Sequence, residues 1–355
     1  IRDRIITFNG IKGLIHMCTN FTFTSQYNTT YLARTMDFAF ELKAFPKVIP
    51  RNYQWETTYG QTFTFDYGFV GSAMKIDDVM FADGINEKGL SIAILNNNGF
   101  ATYKPAPASH HINLGPESFI MWLLGTNASI SHLKETIGNV RLIDEQNPVL
   151  GKTPDFHFIV TDQTGQSIVL VPKGGKLILK DNPVQVLTNH PDLEWHYQNL
   201  QQYTAFNFDP SASITLGDKQ VDPIHVETNT EILPGGYTSP ARFVKTAYFR
   251  QMIEDTVDDT MRLNNLFKLL DTVSIPRGIV LHEGQPHYTQ YQCILDCEHL
   301  TYYYKDYNSS DIYTIQLTDV LLDSKEEKTY EIKPQLNLKD ITLSQHDSHH
   351  DEGVD

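Results

Sequence analysis

The chain has 355 residues, 40% hydrophobic and 20% charged, which is enough apolar material for a folded core over most of its length. Lys and Arg total 28 against 43 Asp and Glu. The resulting net charge of −15 excludes non-specific nucleic-acid binding as the main task, and a polybasic membrane surface with it.

Residues 1–16 mix charge with short apolar pairs and lack the continuous apolar stretch of a signal peptide. The first methionine, Met17, precedes Cys18. Residues 1–17 therefore read as a pro-segment or, preferably, as sequence upstream of a natural start at Met17. Residues 18–38 predict two strands, with Gln26-Tyr27-Asn28 turning the chain and Tyr31 to Phe38 returning. Residues 67–74 and 79–96 look extended, with turn chemistry at Asp83-Gly84 and Glu87-Lys88-Gly89.

Two helices follow. One opens at Pro116, read as a first-turn proline, and runs through Phe119 to Leu124, an apolar run far too short to cross a bilayer. The second spans about 129–140, with Ile130, Leu133, Ile137 and Val140 on one face. Phe156 to Val160 and Ser167 to Val171 predict a hairpin around Asp162-Gln163-Thr164-Gly165, and further strands are expected at 177–179 and 184–188. Residues 204–238 read as irregular, 239–254 and 260–272 as helical, and 288–296, 300–304 and 312–320 as strands. Strands lead, helices sit in the middle and strands close. That order predicts an α+β chain of antiparallel sheets with helices packed on them. Residues 18–333 read as a single domain, and 334–355 as an acidic tail, His-rich from His346 and solvated.

No Gly-rich phosphate loop, HExxH, GxSxG or paired CxxC motif is present, so neither a cofactor nor a metal is expected. The three cysteines, Cys18, Cys293 and Cys297, cannot form a disulfide framework. An odd, low count fits a reducing compartment, expected to be the cytoplasm, or one reactive thiol. Cys293 and Cys297 read as small core residues within a strand.

Cys18 differs. Removal of everything before it would leave thiol and α-amine on one residue, a nucleophile and a base together; such an amine has a pKa near 8. Position alone does not make the case, but three other segments add to it. Leu32-Ala33-Arg34-Thr35-Met36-Asp37-Phe38 sets a cation and a carboxylate on the strand expected to pair with the Cys18 strand. Leu187-Thr188-Asn189-His190-Pro191 ends a β-rich run on an amide able to donate to an oxyanion. Leu233 to Phe243 opens a helix, with Arg242 in its first turn.

Together these segments resemble the choloylglycine hydrolases and penicillin V acylases, a family of N-terminal-nucleophile hydrolases. The likeness runs from Met17-Cys18-Thr19 to about residue 330. It includes Pro50-Arg51-Asn52-Tyr53, Phe81 to Leu90 and His287-Tyr288-Thr289-Gln290-Tyr291. The resemblance implies a four-layer αββα sandwich of two antiparallel sheets and hydrolysis of a linear amide by a mature N-terminal cysteine. It implies that Cys18 is the nucleophile and its α-amine the base, with Arg34 tuning the thiol and Asp37 holding the amine. Asn189 would donate to the oxyanion, Asn96 would add its backbone N–H and face the substrate, and Arg242 would complete the polar set.

Bile-salt hydrolases usually carry Asn at the position of Asn96, where penicillin V acylases often carry Tyr. The expected substrate is therefore a glycine- or taurine-conjugated bile salt, with penicillin V or an N-acyl homoserine lactone as alternatives. An unprocessed chain, its amine blocked by residues 1–17, would be an inactive binding protein. The resemblance also implies a homo-oligomer, a tetramer in relatives. The 216–236 loop departs from the family pattern, with Gly236 where Asp is common.

Overall fold

The computed structural model describes residues 17–342, except 77, 148–150, 207, 210, 212 and 283. The expectations for residues 1–16 and for the His-rich end of the tail lie outside the described residues. Two antiparallel sheets make the centre. The first runs, edge to edge, Val186–Leu187, Met17–Thr24, Thr30–Phe38, Gln285–Asp296, Thr301–Asp306 and Tyr313–Gln316. The second has at its middle Phe156–Thr161, Ser91–Asn96, Asp83–Asn86 and Phe69–Ile76.

The sheets face one another. Their shared interior is apolar: Leu32, Val70, Ile85, Ala93, Ile159, Leu295 and Tyr302 lie on the facing sides and are all buried. Fully burying one such Leu, Ile or Val side chain contributes about 1.5–3 kcal/mol. Ser239–Met252 and Asp259–Asp271 cover the outer face of the first sheet, and Phe119–Thr126 covers the second. The architecture is thus the αββα sandwich. Ser239–Met252 starts where its sequence dictates: Thr238 caps it by accepting from Ala241 N, with Pro240 in the first turn. Phe119–Thr126 is apolar all round, and Phe119 to Gly125 are all buried, so this helix lies inside rather than on the surface. Among the described residues no helix is long and apolar enough to cross a membrane.

Several expectations need correction. Pro116 precedes the helix instead of occupying its first turn, because Ser118 is the residue before Phe119. The second helix stops at Thr136 and passes through a 3₁₀ turn. Val140 then opens the Val140–Leu142 strand, which pairs in parallel with Ile112–Leu114. Cys297 lies just beyond its strand, and the strand expected over 312–320 runs only from Tyr313 to Gln316, followed by the short Asp319–Leu322 helix and the Lys328–Thr329 strand. Asp83-Gly84 is not a turn. It begins the Asp83–Asn86 strand, which approaches Phe69–Ile76 so closely that a Cβ at Gly71 would lie 2.1 Å from the Asp83 carbonyl oxygen. The Leu193–Leu200 helix, capped by Asp192, was not anticipated.

Candidate active site

Cys18 is the second residue of Met17–Thr24 and pairs with Met36 on the neighbouring strand, while Asn20 pairs with Arg34. Successive side chains on a strand point to opposite faces. Arg34 and Met36 therefore share the face that meets the second sheet, and Thr35 and Asp37 share the face under the helices. Cys18 Sγ lies on the inner face, where Arg34 Nη2 donates to it at 3.2 Å and Met36 Sδ is 3.8 Å away. Cys18 is 2% exposed. Burial pushes it above its usual value, and Arg34 pulls against that rise without reversing it. Arg34, expected to tune the thiol, is thus placed in contact with it. The net direction is nevertheless upward, so the resting group is a thiol that needs a base. Among the described residues no histidine bonds to Sγ.

The Cys18 backbone is held from the other side. The first sheet's pairing with Val186–Leu187 reaches only Asn20 and Phe21, so Cys18 has no strand partner on that flank. Two residues beyond that strand, Asn189 offers its side chain instead: Cys18 N donates to Asn189 Oδ1 at 2.8 Å. Arg242 Nη2 donates to the same oxygen at 2.8 Å. Because Arg is a donor only, this contact fixes which way the amide points. Asn189 Nδ2 then donates to the Asn96 carbonyl oxygen at 3.0 Å, leaving its second N–H for another acceptor. Arg242, fully buried, also donates from Nη1 to Cys18 O at 2.5 Å and Thr19 Oγ1 at 2.6 Å.

Asp37 accepts from Thr289 Oγ1 at 2.5 Å and Thr35 Oγ1 at 3.3 Å. Burial raises its carboxyl to about 6, with Arg242 and the two hydroxyls pulling the other way. Asn96 is 2% exposed, and its Oδ1 turns back to accept from Asn98 N at 3.1 Å.

Beside Sγ lies a cavity of ≈ 20 Å³ lined by Met36, Phe38, Leu42, Met74, Met80 and Phe156, with Asn96 at its polar edge. That volume holds little more than one water. Among the described residues no cluster of His, Cys, Asp or Glu is arranged to hold a metal.

The other five residues singled out in the sequence therefore gather around Cys18, Asn96 through its carbonyl bond to Asn189. Others went unnoticed. Thr289 and Tyr291 stand in the quoted His287–Tyr291 stretch and Asp83 in the quoted Phe81–Leu90 stretch, but a hydroxyl or a Asp-Gly pair carries no signal of partners far away in the chain. His287, 1% exposed and with both ring nitrogens unpartnered, shares the strand face of Thr289 two residues on.

A sandwich with a buried cysteine at the head of a central strand, its nitrogen and its sulfur held by separate polar groups, is the frame of an amide-bond hydrolase. The model of the linear amide C–N hydrolases, choloylglycine hydrolase family, matches residues 18–330, starting on the cysteine itself, and the chain belongs to this family. It is 30% identical over 330 residues to the bile salt hydrolase/transferase of Clostridium perfringens, covering 92% of this chain and 100% of that protein. The crystal structure of a variant of the conjugated bile acid hydrolase of Clostridium perfringens superposes with a TM-score of 0.82 at 28% identity, covering 92% of this chain and 100% of that one. The penicillin V acylase of Agrobacterium tumefaciens shares the fold, with a TM-score of 0.71 at 19% identity, covering 88% of this chain and 90% of that one.

Proposed function

We propose that this chain, once cut before Cys18, hydrolyses the amide bond of glycine- or taurine-conjugated bile salts. The observation that carries the reading is the two-sided grip on Cys18: nitrogen on Asn189 Oδ1 at 2.8 Å, sulfur on Arg34 Nη2 at 3.2 Å. With Met17 attached, that nitrogen is an amide with no basic lone pair. Freed, it is an amine held by Asn189, with Asp37 supplying a nearby negative charge. It takes the thiol proton as Sγ attacks the amide carbon. The oxyanion takes the free N–H of Asn189 and the backbone N–H of Asn96. The amine returns its proton to the leaving nitrogen, the C–N bond breaks, and a thioester remains on Sγ. Water, deprotonated by the same amine, releases the carboxylate and restores the thiol.

The bile-salt choice rests on Asn96 and on the named activity of the relatives. The cavity's apolar lining suits an acyl group, and a steroid requires Phe38, Leu42, Met74 and Met80 to part. The small volume favours a second reading, removal of the compact phenoxyacetyl group of penicillin V. Glycocholate, taurocholate and penicillin V should be offered to two preparations whose N-termini are fixed by mass spectrometry. Protein starting at Cys18 should hydrolyse the conjugated bile salts, and protein retaining Met17 should hydrolyse nothing. Turnover by uncut chain would refute the amine as base, and turnover of penicillin V alone would transfer the assignment to the second reading.

A further inference from the structure

Arg34 reaches Cys18 from within its own sheet, but what holds Arg34 comes from the other sheet. Arg34 Nη1 donates to Asp83 Oδ2 at 3.1 Å and to the Ala82 carbonyl oxygen at 2.7 Å, and both side chains of the ion pair are 0% exposed. Asp83 is itself fixed on every side. Tyr291 OH donates to Oδ2 at 2.7 Å, Tyr302 OH to Oδ1 at 2.6 Å, and Ser72 N to Oδ1 at 3.1 Å. The ring of Tyr291 also lies under the guanidinium, 5.9 Å from its carbon. Gly71 lets the Asp83 segment come this close, since a side chain there would collide with it.

We propose that Asp83 is a positioning residue for the Cys18 chemistry: anchored by Tyr291 and Tyr302, it holds the Arg34 guanidinium so that Nη2 faces Sγ. The guanidinium is a rigid planar fork, so fixing Nη1 fixes the direction of Nη2. Arg34 also donates from Nε to the Thr35 carbonyl oxygen and from Nη2 to Met36 Sδ, each at 3.5 Å, and an unanchored guanidinium would be free to turn towards these acceptors and away from Sγ. The alignment of the two sheets is thus passed to the nucleophile through this buried ion pair.

This inference rests on Cys18 being the nucleophile, so its test includes a readout that needs no substrate. Asp83→Asn preserves shape. Ser72 N and Tyr302 OH keep the amide oxygen on their side, which turns the new NH₂ towards Arg34, donor against donor. In cut protein, Asp83→Asn should lower kcat by up to roughly 100-fold with KM little changed, the size expected for a misplaced catalytic group. Alkylation of Cys18 by iodoacetamide, followed by peptide mass spectrometry, should slow, and its pH midpoint should move upward. Arg34→Met should do the same, and the double variant should be no worse than Arg34→Met alone. If Asp83→Asn does not fold, Tyr291→Phe/Tyr302→Phe, which only frees the carboxylate to turn, should show the same signs at several-fold size. Unchanged alkylation in a folded variant, or losses that multiply in the double variant, would overturn the proposal. Slowed alkylation in protein that hydrolyses none of the substrates would uphold it and refute the hydrolytic reading instead.

Discussion

The Arg34–Asp83 pair has a cysteine at each end, and the surroundings of the two differ. Cys18 lies against Arg34, whereas Cys293, which pairs across the strands with Arg34, feels Asp83 more than Arg34. Both thiols are buried and both are raised above their usual value by burial. For Cys293 the carboxylate adds to that rise and takes it well above; for Cys18 the guanidinium opposes it. The backbones differ too. Cys293 sits in mid-strand with partners on both sides, Arg34 and Tyr304, whereas Cys18 has one strand partner and, on its open flank, Asn189. Burial alone does not make a thiol reactive. What separates the two is the sign of the charge each feels most and whether a strand partner occupies the flank of the backbone.

The largest expected break in this comparison comes from the sulfur itself. Cys18→Ser should lower turnover by on the order of 10⁴ or more in protein of unchanged circular dichroism, since a hydroxyl gives up its proton far less readily. Cys293→Ala should leave kcat within a few-fold and cost about 1 kcal/mol in chemical denaturation for the lost packing. Loss of chemistry in folded Cys293→Ala would invert the assignment.

The flank comes next. Asn189→Ala removes the group that grips the Cys18 nitrogen and presents an N–H beside it, and should reduce kcat by roughly 10²–10³. An unaltered kcat would make Asn189 an ordinary turn residue.

The smallest effect concerns Asp37, on the opposite face of the strand from Sγ. Its carboxyl stands at about 6 in the fold against 3.8 in the open chain. Its stabilising contribution is therefore complete below about pH 4 and lost as pH rises through about 6. In the chain that still carries Met17, where no ammonium faces it, Asp37→Asn should raise Tm by a few degrees relative to the parent at pH 7.5. That gain should vanish at pH 4. Melting curves at the two pH values would show it, and a gain independent of pH would mean that the charge is not the cause.

Much of this was legible in the chain. Alternation of Phe21 and Phe23 with polar neighbours, a turn at Gln26-Tyr27-Asn28 and a second run to Phe38 specify two paired strands. The same period puts Arg34 with Met36 and Thr35 with Asp37. Asp83 was misread because Asp-Gly is a common turn signal, and no local pattern says that this Asp-Gly is covered by a second sheet. The Leu193–Leu200 helix escaped because its sequence is mostly polar, with only Leu193, His196 and Asn199 buried. It exists through its Asp192 cap and through packing, His196 lying flat on Phe243 at 4.5 Å.

The sequence by itself determined the kind of groups available, the strand that carries the nucleophile and the side of that strand each neighbour occupies, because these follow from a two-residue period and short turns. Only the tertiary structure decided that Asn189 presents its oxygen to Cys18 N, that Asp37 answers to Thr289, and that Asp83, Tyr291 and Tyr302 close on Arg34. Those contacts join residues 49 to 252 positions apart, and their partners are selected by how two sheets and a helix stack, which no local pattern of residues encodes.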